Sequence, residues 1–183
     1  MESLKGNLLI AVPRLPDANF FRTVVLILRH DEQGALGLVL NRPSTVTVCD
    51  VWKTISGHKS DIQDLVYMGG PVQGPLIALH SSFSLAESDV IPGVYYSVHK
   101  DQLNELVESQ REPLKVFTGN SGWGPGQLDN EVAAGGWFVM PAEQHHLFES
   151  DDQLWKLVCE SYGNEILVEE RFRSKIPSDP SLN

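Results

Sequence analysis

The sequence predicts a single α+β domain, and three observations carry that reading. Thr23-Val24-Val25-Leu26-Ile27-Leu28 and Leu36-Gly37-Leu38-Val39-Leu40 are nearly continuous apolar runs, the pattern of strands covered on both faces. Asp31-Glu32-Gln33-Gly34 separates them with turn residues, so the pair reads as a hairpin in which Gly34 can supply positive φ. The other strand patterns mix irregularly with three or four helical ones, which argues against a doubly wound parallel sheet. At 183 residues the chain fits one domain, and it carries no internal repeat, low-complexity tract or interior linker.

In chain order, Leu8-Leu9-Ile10-Ala11-Val12 is a first strand, stopped by Pro13 and Pro16. Gly37, inside the second buried run, implies a bulge or a close neighbour. A helix begins at Thr47, with Val48, Val51, Trp52 and Ile55 on one face and Gly57 at its end; Thr47 and Asp50 have capping-box spacing. His58 to Asp64 reads as a polar loop. Val66-Tyr67-Met68, Leu76-Ile77-Ala78-Leu79 and Val94-Tyr95-Tyr96-Ser97-Val98 read as strands, the first two joined by a tight turn at Gly69-Gly70-Pro71. Leu103, Leu106 and Val107 mark a helix, Leu114-Lys115-Val116-Phe117-Thr118 a strand, and Trp137-Phe138-Val139-Met140 a strand ended by Pro141. A last helix opens on Ser150 and Gln153, repeats Leu154, Leu157, Val158 and Ser161 or Tyr162, and closes at Gly163. Residues 1–168 form the domain, and 169–183 are a polar tail expected to fray.

Charge and composition remove several function classes. A formal net charge of −10 repels phosphate backbones, so direct non-specific nucleic-acid binding is not expected. Two cysteines, Cys49 and Cys159, suit buried thiols in a reducing compartment rather than a disulfide framework. The N-terminus lacks the basic and apolar segments of a secretory signal, and no apolar run approaches the roughly 20 residues that cross a bilayer. The expectation is a soluble cytoplasmic protein with no membrane partner.

One stretch concentrates unusual chemistry. Gly119 to Glu131 holds four of the fifteen glycines within eight residues, around Trp123 and Pro125, and leads into a helical pattern. Strand, glycine-rich loop and helix in succession can cradle an anion on free N–H groups. A nucleotide P-loop needs Lys and Ser or Thr after its last glycine, and here Gly126 precedes Gln127-Leu128. Asp129 and Glu131 would also offset the helix dipole. The stretch therefore reads as a structural turn or as one wall of a ligand or partner cleft. Ser121 lies between glycines but lacks the nucleophile-elbow pattern; a hydrolase would need His80 as its base and Asp129 or Glu131 to orient it. His145-His146 with Glu143 and Glu149, and His30-Asp31-Glu32, read as solvated faces rather than metal sites, because neighbours on a helix diverge by about 100°. Pro43 holds Arg42 extended, which aims its guanidinium at an anion or at the acidic surplus; Arg22 carries the same pair of readings.

Several of these segments stand in one recognisable order: Leu9-Ile10-Ala11-Val12-Pro13, Phe21-Arg22-Thr23-Val24-Val25, Gly34 through Pro43, Gly69-Gly70-Pro71-Val72, and Gly122 through Leu128. In that order the chain resembles the AlgH/YqgE family from about Gly6 to Gly163. The resemblance implies an α+β domain with a mixed, partly barrel-like sheet surrounded by helices, in a bacterial cytoplasmic protein. It also brings a transcriptional-regulator label without a recognised DNA-binding motif, so a regulatory role would be indirect. Asn120 departs from the aromatic residue many members carry there, and the Ser44–Tyr67 loop is shorter than in many.

The function expected is a non-enzymatic regulatory or interaction protein with a small-ligand or partner-binding cleft and no cofactor. Asn41, Arg42 and Pro43, the turn Gly69, Gly70 and Pro71, and the loop residues Gly122, Trp123, Gly124, Gly126 and Gln127 would build the cleft, with Arg22 and His80 beside it. Two alternatives stay open: a hydrolase using Ser121 with His80, and a sequence-specific nucleic-acid binder through an arginine patch of Arg22, Arg29 and Arg42.

Overall fold

A computed structural model describes residues 2–12, 15, 17–55, 60–110, 113–148 and 154–173, with side chains as far as residue 163. The order is β1 (Asn7–Ala11), β2 (Val24–Asp31), β3 (Gly34–Val39), β4 (Pro43–Thr47), α1 (Val48–Ile55), β5 (Leu65–Met68), β6 (Ile77–His80), β7 (Ser88–Ile91) and β8 (Val94–Ser97). There follow α2 (Lys100–Glu108), β9 (Leu114–Thr118), β10 (Ser121–Trp123), α3 (Gln127–Ala133), β11 (Trp137–Pro141), α4 (Gln144–Phe148) and α5 (Leu154–Arg173).

The chain is α+β as expected, with its strands in two sheets, neither of which is a closed barrel. The first runs β10-β3-β2-β1-β11 and is antiparallel throughout; the second runs β4-β5-β9-β6-β8-β7, with one parallel pair, β5 with β9. The alternation of side chains explains the layers. Leu8 and Ile10 of β1 join Leu26, Leu38, Leu79 and Phe117 in a core between the sheets, while Leu9 and Ala11 point to the other face with Val25, Ile27, Trp123 and Trp137. On the outer face of the second sheet, Trp52 of α1 and Leu103, Leu106 and Val107 of α2 cover Val66, Ala78 and Val116. Central β2 is thus buried on both faces, as its unbroken apolar run predicts. Truncating the fully buried Phe117 to Ala would cost about 3–5 kcal/mol.

The hairpin of β2 and β3 closes where Asp31 pairs Gly34, whose φ is +122°. Gly37 answers both sequence readings at once: the register slips between Ile27 and Arg29 opposite it, and a Cβ there would sit 2.8 Å from Val25 Cγ1. Thr47 caps α1 by accepting the Asp50 N–H at 3.1 Å and donating to the Asp50 carboxylate at 2.8 Å.

Several expectations need correction. Ile55 and Leu157 are more than half exposed, so the buried faces of their helices are narrower than the sequence pattern. Strands β4 and β7 were not anticipated; both are sheet edges, paired on one side, and neither has a long apolar run. Gly163 does not end the last helix, which continues to Arg173 through the start of the expected tail; a glycine costs a helix interior only about 1 kcal/mol. The glycine-rich loop is in part strand, since Ser121–Trp123 pairs with β3 in a buried-exposed-buried alternation. Pro13, Pro16, Gly57, the cap at Ser150 and Gln153, and residues 174–183 lie outside the described residues. Among the described residues no helix is long and apolar enough to cross a membrane.

Candidate functional site

In the first sheet β10 and β11 are opposite edges, which a flat sheet would hold about 19 Å apart at roughly 4.8 Å per strand step. Here the sheet curls until Trp123 of β10 and Trp137 of β11 meet edge to face, with ring centroids 6.2 Å apart. Phe20 stacks on Trp123 at 5.9 Å and meets Trp137 edge-on at 5.4 Å. Glu131, one turn into α3, lies between the edges. Its Oε2 accepts the indole N–H of Trp123 at 3.0 Å and that of Trp137 at 2.9 Å, and its Oε1 accepts the Gln127 amide at 2.9 Å. Gln127 in turn accepts the Gly124 N–H at 3.1 Å, which fixes the tight turn before α3. One carboxylate clasps both sheet edges.

A cavity of about 570 Å³ opens beside this clasp. Leu15, Asp17, Phe20, Gly122, Trp123, Gln127, Glu131 and Trp137 are among the residues that line it. Trp123 and Trp137 are almost fully buried, so each offers the cavity only part of its ring. The walls combine aromatic surface with two carboxylates, Asp17 and Glu131, and among the described lining residues there is no Lys or Arg. Apolar walls of this kind leave a charge poorly screened.

The structure distributes the residues expected in the cleft over several places. Gly122, Trp123 and Gln127 line the cavity. Gly70 and Pro71 line a smaller hollow of about 400 Å³ with Val72 and Gly119. Gly69 belongs to the seam where the sheets meet: its carbonyl accepts the Val39 N–H at 2.8 Å and the Ser121 hydroxyl at 3.1 Å, and its own N–H reaches Thr118. Gly124 and Gly126 shape the turn into α3, with Gly126 at φ +69°. The Asn41 side chain accepts the Val24 N–H and donates to the Arg22 carbonyl, tying down the entry to β2. Arg42 hydrogen-bonds the Met68 N–H through its carbonyl; burial holds its guanidinium below the usual arginine range, and Asp17 at the cavity mouth opposes that. Exposed Pro43 opens β4. Exposed Arg22 sits over the rings of Phe21 and Trp155 at 5.1 and 5.5 Å.

Ser121 and His80 have other partners. The Ser121 hydroxyl donates to Gly69, while His80 Nδ1 accepts the Ser82 N–H, which leaves Nε2 to donate to Ser97 at 2.9 Å. Burial lowers the His80 pKa and keeps the ring neutral. His30, expected on a solvated turn, is buried instead; its ring accepts the Leu4 N–H and approaches Asp129 at 3.3 Å. Among the described residues, no group of three His, Cys, Asp or Glu side chains could hold a metal ion.

Trp137, Phe20 and Asp17 did not stand out in the sequence, and Glu131 stood out as a charge opposing the helix dipole and as a candidate to orient His80, not as a partner of the tryptophans. Their signal was an acidic residue inside a short helix flanked by one tryptophan on each side. Only the curl of the sheet turns that spacing into a contact.

The sequence profile of the AlgH-like family matches residues 8–167. A UPF0301 protein of Streptomyces avermitilis is 37% identical over 203 residues, covering 100% of this chain and 97% of the relative. One from Myxococcus xanthus is 36% identical, covering 89% of this chain and 93% of its own. The solution structure of AlgH from Pseudomonas aeruginosa superposes with a TM-score of 0.75 at 31% identity, covering 87% of this chain and 88% of that one. A crystal structure of a protein from Corynebacterium diphtheriae shares the fold at a TM-score of 0.68 and 24% identity, covering 86% of each chain.

Proposed function

This chain belongs to the AlgH-like family, and we propose that it acts without catalysis, as a regulatory or interaction protein whose recognition site is the cavity between Trp123 and Trp137. The observation that carries this reading is the cavity itself: about 570 Å³ of space bounded by three aromatic side chains and a few convergent polar groups. Ligand sites have that size and that mixture. Elsewhere the candidate polar groups are matched to each other, as Ser121 is to Gly69 and His80 to Ser97.

A regulatory role through this site is indirect, acting on a protein or small molecule. The candidate nucleic-acid patch is divided, since Arg29 pairs with Asp31 at 3.7 Å, Arg42 faces the charge of Asp17, and Arg22 rests on aromatic rings. A fragment library screened by thermal shift, followed by NMR of the two indole N–H groups, tests the site. Binders are expected to raise the melting temperature and to move the Trp123 and Trp137 resonances, and Phe20→Ala is expected to weaken them. Binders that leave both indoles unmoved would place recognition elsewhere.

A further inference from the structure

We propose that the cavity selects an organic cation: an alkylated ammonium, or a protonated amine carrying a compact apolar group. The proposal rests on reading the cavity as the recognition site and adds the chemistry of its ligand. Charge is the first argument. Glu131 is held by three neutral donors, Trp123, Trp137 and Gln127, so its hydrogen bonds are largely satisfied while its negative charge is not balanced by them. Asp17 adds a second carboxylate at the mouth, partly matched by Arg42.

The orientation of the rings is the second argument. An aromatic ring has a negative face and a positive edge. Both indole N–H groups donate to Glu131, so the aromatic walls offer an anion no free donor and border the cavity with ring surface and a carboxylate. That surface attracts a cation and repels an anion. Phe20 and Trp123 are stacked on each other at 5.9 Å, so the cation is received on the cavity side of the rings, not between them. The turn into α3 offers an anion little, because the Gly124 N–H donates to Gln127 Oε1 and the Gln127 N–H to the Gly124 carbonyl.

Three isosteric probes separate charge from shape: choline, neutral 3,3-dimethyl-1-butanol and anionic 3,3-dimethylbutanoate, titrated into the full chain and followed at the two indole N–H resonances. Choline is expected to bind at least about tenfold more tightly than the alcohol, the equivalent of about 1.4 kcal/mol, and the butanoate not at all. Glu131→Gln keeps an oxygen acceptor for the indoles, and it is expected to bring choline and the alcohol within about threefold of each other. Phe20→Leu keeps the charge, removes a ring, and is expected to lower choline affinity without reversing the preference.

Equal or tighter binding of the alcohol or the butanoate would overturn the cation and leave the cavity standing as a ligand site. Fragments that bind at the indoles while choline fails at about 20 mM would do the same. Arg14 falls in sequence between the lining residues Val12 and Leu15. Choline binding that appears only in Arg14→Ala would make the chain's own guanidinium the occupant, and would also overturn the proposal.

Discussion

The molecule is joined in two places, once between its two sheets and once between the two edges of the first sheet, and the two joints are made of different material. At the seam the contacts are backbone to backbone. Val39 N–H donates to Gly69, Gly69 N–H to Thr118, and Val72 and Asn120 exchange a bridge. The glycines there have no room for a side chain: a Cβ on Gly69 would lie 2.5 Å from the Gly119 carbonyl oxygen, and one on Gly70 2.4 Å from that of Asn120. At the clasp the contacts are side chain to side chain, through Glu131 and the two indoles, and the neighbouring glycines are open. A Cβ on Gly122 or Gly124 would meet nothing nearer than 3.9 Å, and one on Gly126 nothing within 4 Å. A joint of backbones brings its parts to hydrogen-bonding distance and leaves only a smaller hollow beside Gly70 and Val72. A joint of long side chains holds its edges apart, and the cavity is that separation.

The seam is expected to break hardest. Gly70 has φ +153° and sits against Asn120 and Ser121 Oγ, so Gly70→Ala combines overpacking with an unfavourable backbone region. The expected loss is about 3–5 kcal/mol, read as a lower urea midpoint with an unchanged slope. A loss below about 1 kcal/mol would mean the seam is compliant, and the contrast with the clasp would disappear.

The clasp comes next. Glu131→Leu removes the acceptor from both indoles, but the adjoining cavity lets water reach them in part. The expected cost is about 2 kcal/mol, with changed tryptophan fluorescence, because the stranded donors lose their partner without being fully sealed from solvent. Stability equal to the parent would show that the ring stack alone holds the edges together.

The two joints were not equally legible. The hairpin, the bulge opposite Gly37 and the cap at Thr47 are local, set by residues a few positions apart, and the sequence declares them. The AlgH-like resemblance extended that reading to the order of segments and to the fold class. At the seam, Gly69-Gly70-Pro71 announced a tight turn but not its partner, since contact with Gly119 and Asn120 depends on β5 and β9 lying parallel. The clasp was least visible. Trp123 in a run of glycines reads as a loop tip, and its burial follows only from Ser121–Trp123 extending the first sheet as an edge strand. Glu131 joins two strands at opposite ends of the sheet order, and nothing in a linear pattern measures how far a sheet curls.

The smallest expected effect is the sharpest separation of the two joints. Gly122 is as much a part of the glycine-rich stretch as Gly119, and sequence alone gives them the same role. Gly119 has φ +67° and a Cβ there would come within 2.9 Å of the Gly70 carbonyl oxygen, whereas Gly122 lies in β10 with its nearest prospective neighbour, Val72 Cγ2, at 3.9 Å. An ordinary van der Waals contact needs no rearrangement, and a strand residue that gains a Cβ loses less chain entropy on folding. Gly122→Ala is therefore expected to leave stability within about 0.5 kcal/mol of the parent or to raise it slightly. The methyl would project toward Val72, on the face of β10 opposite the Trp123 ring, so ligand affinity at the cavity should change little. A destabilisation near that of Gly70→Ala would mean that the Val72 side of β10 is packed as tightly as the seam, and the contrast between Gly119 and Gly122 would disappear.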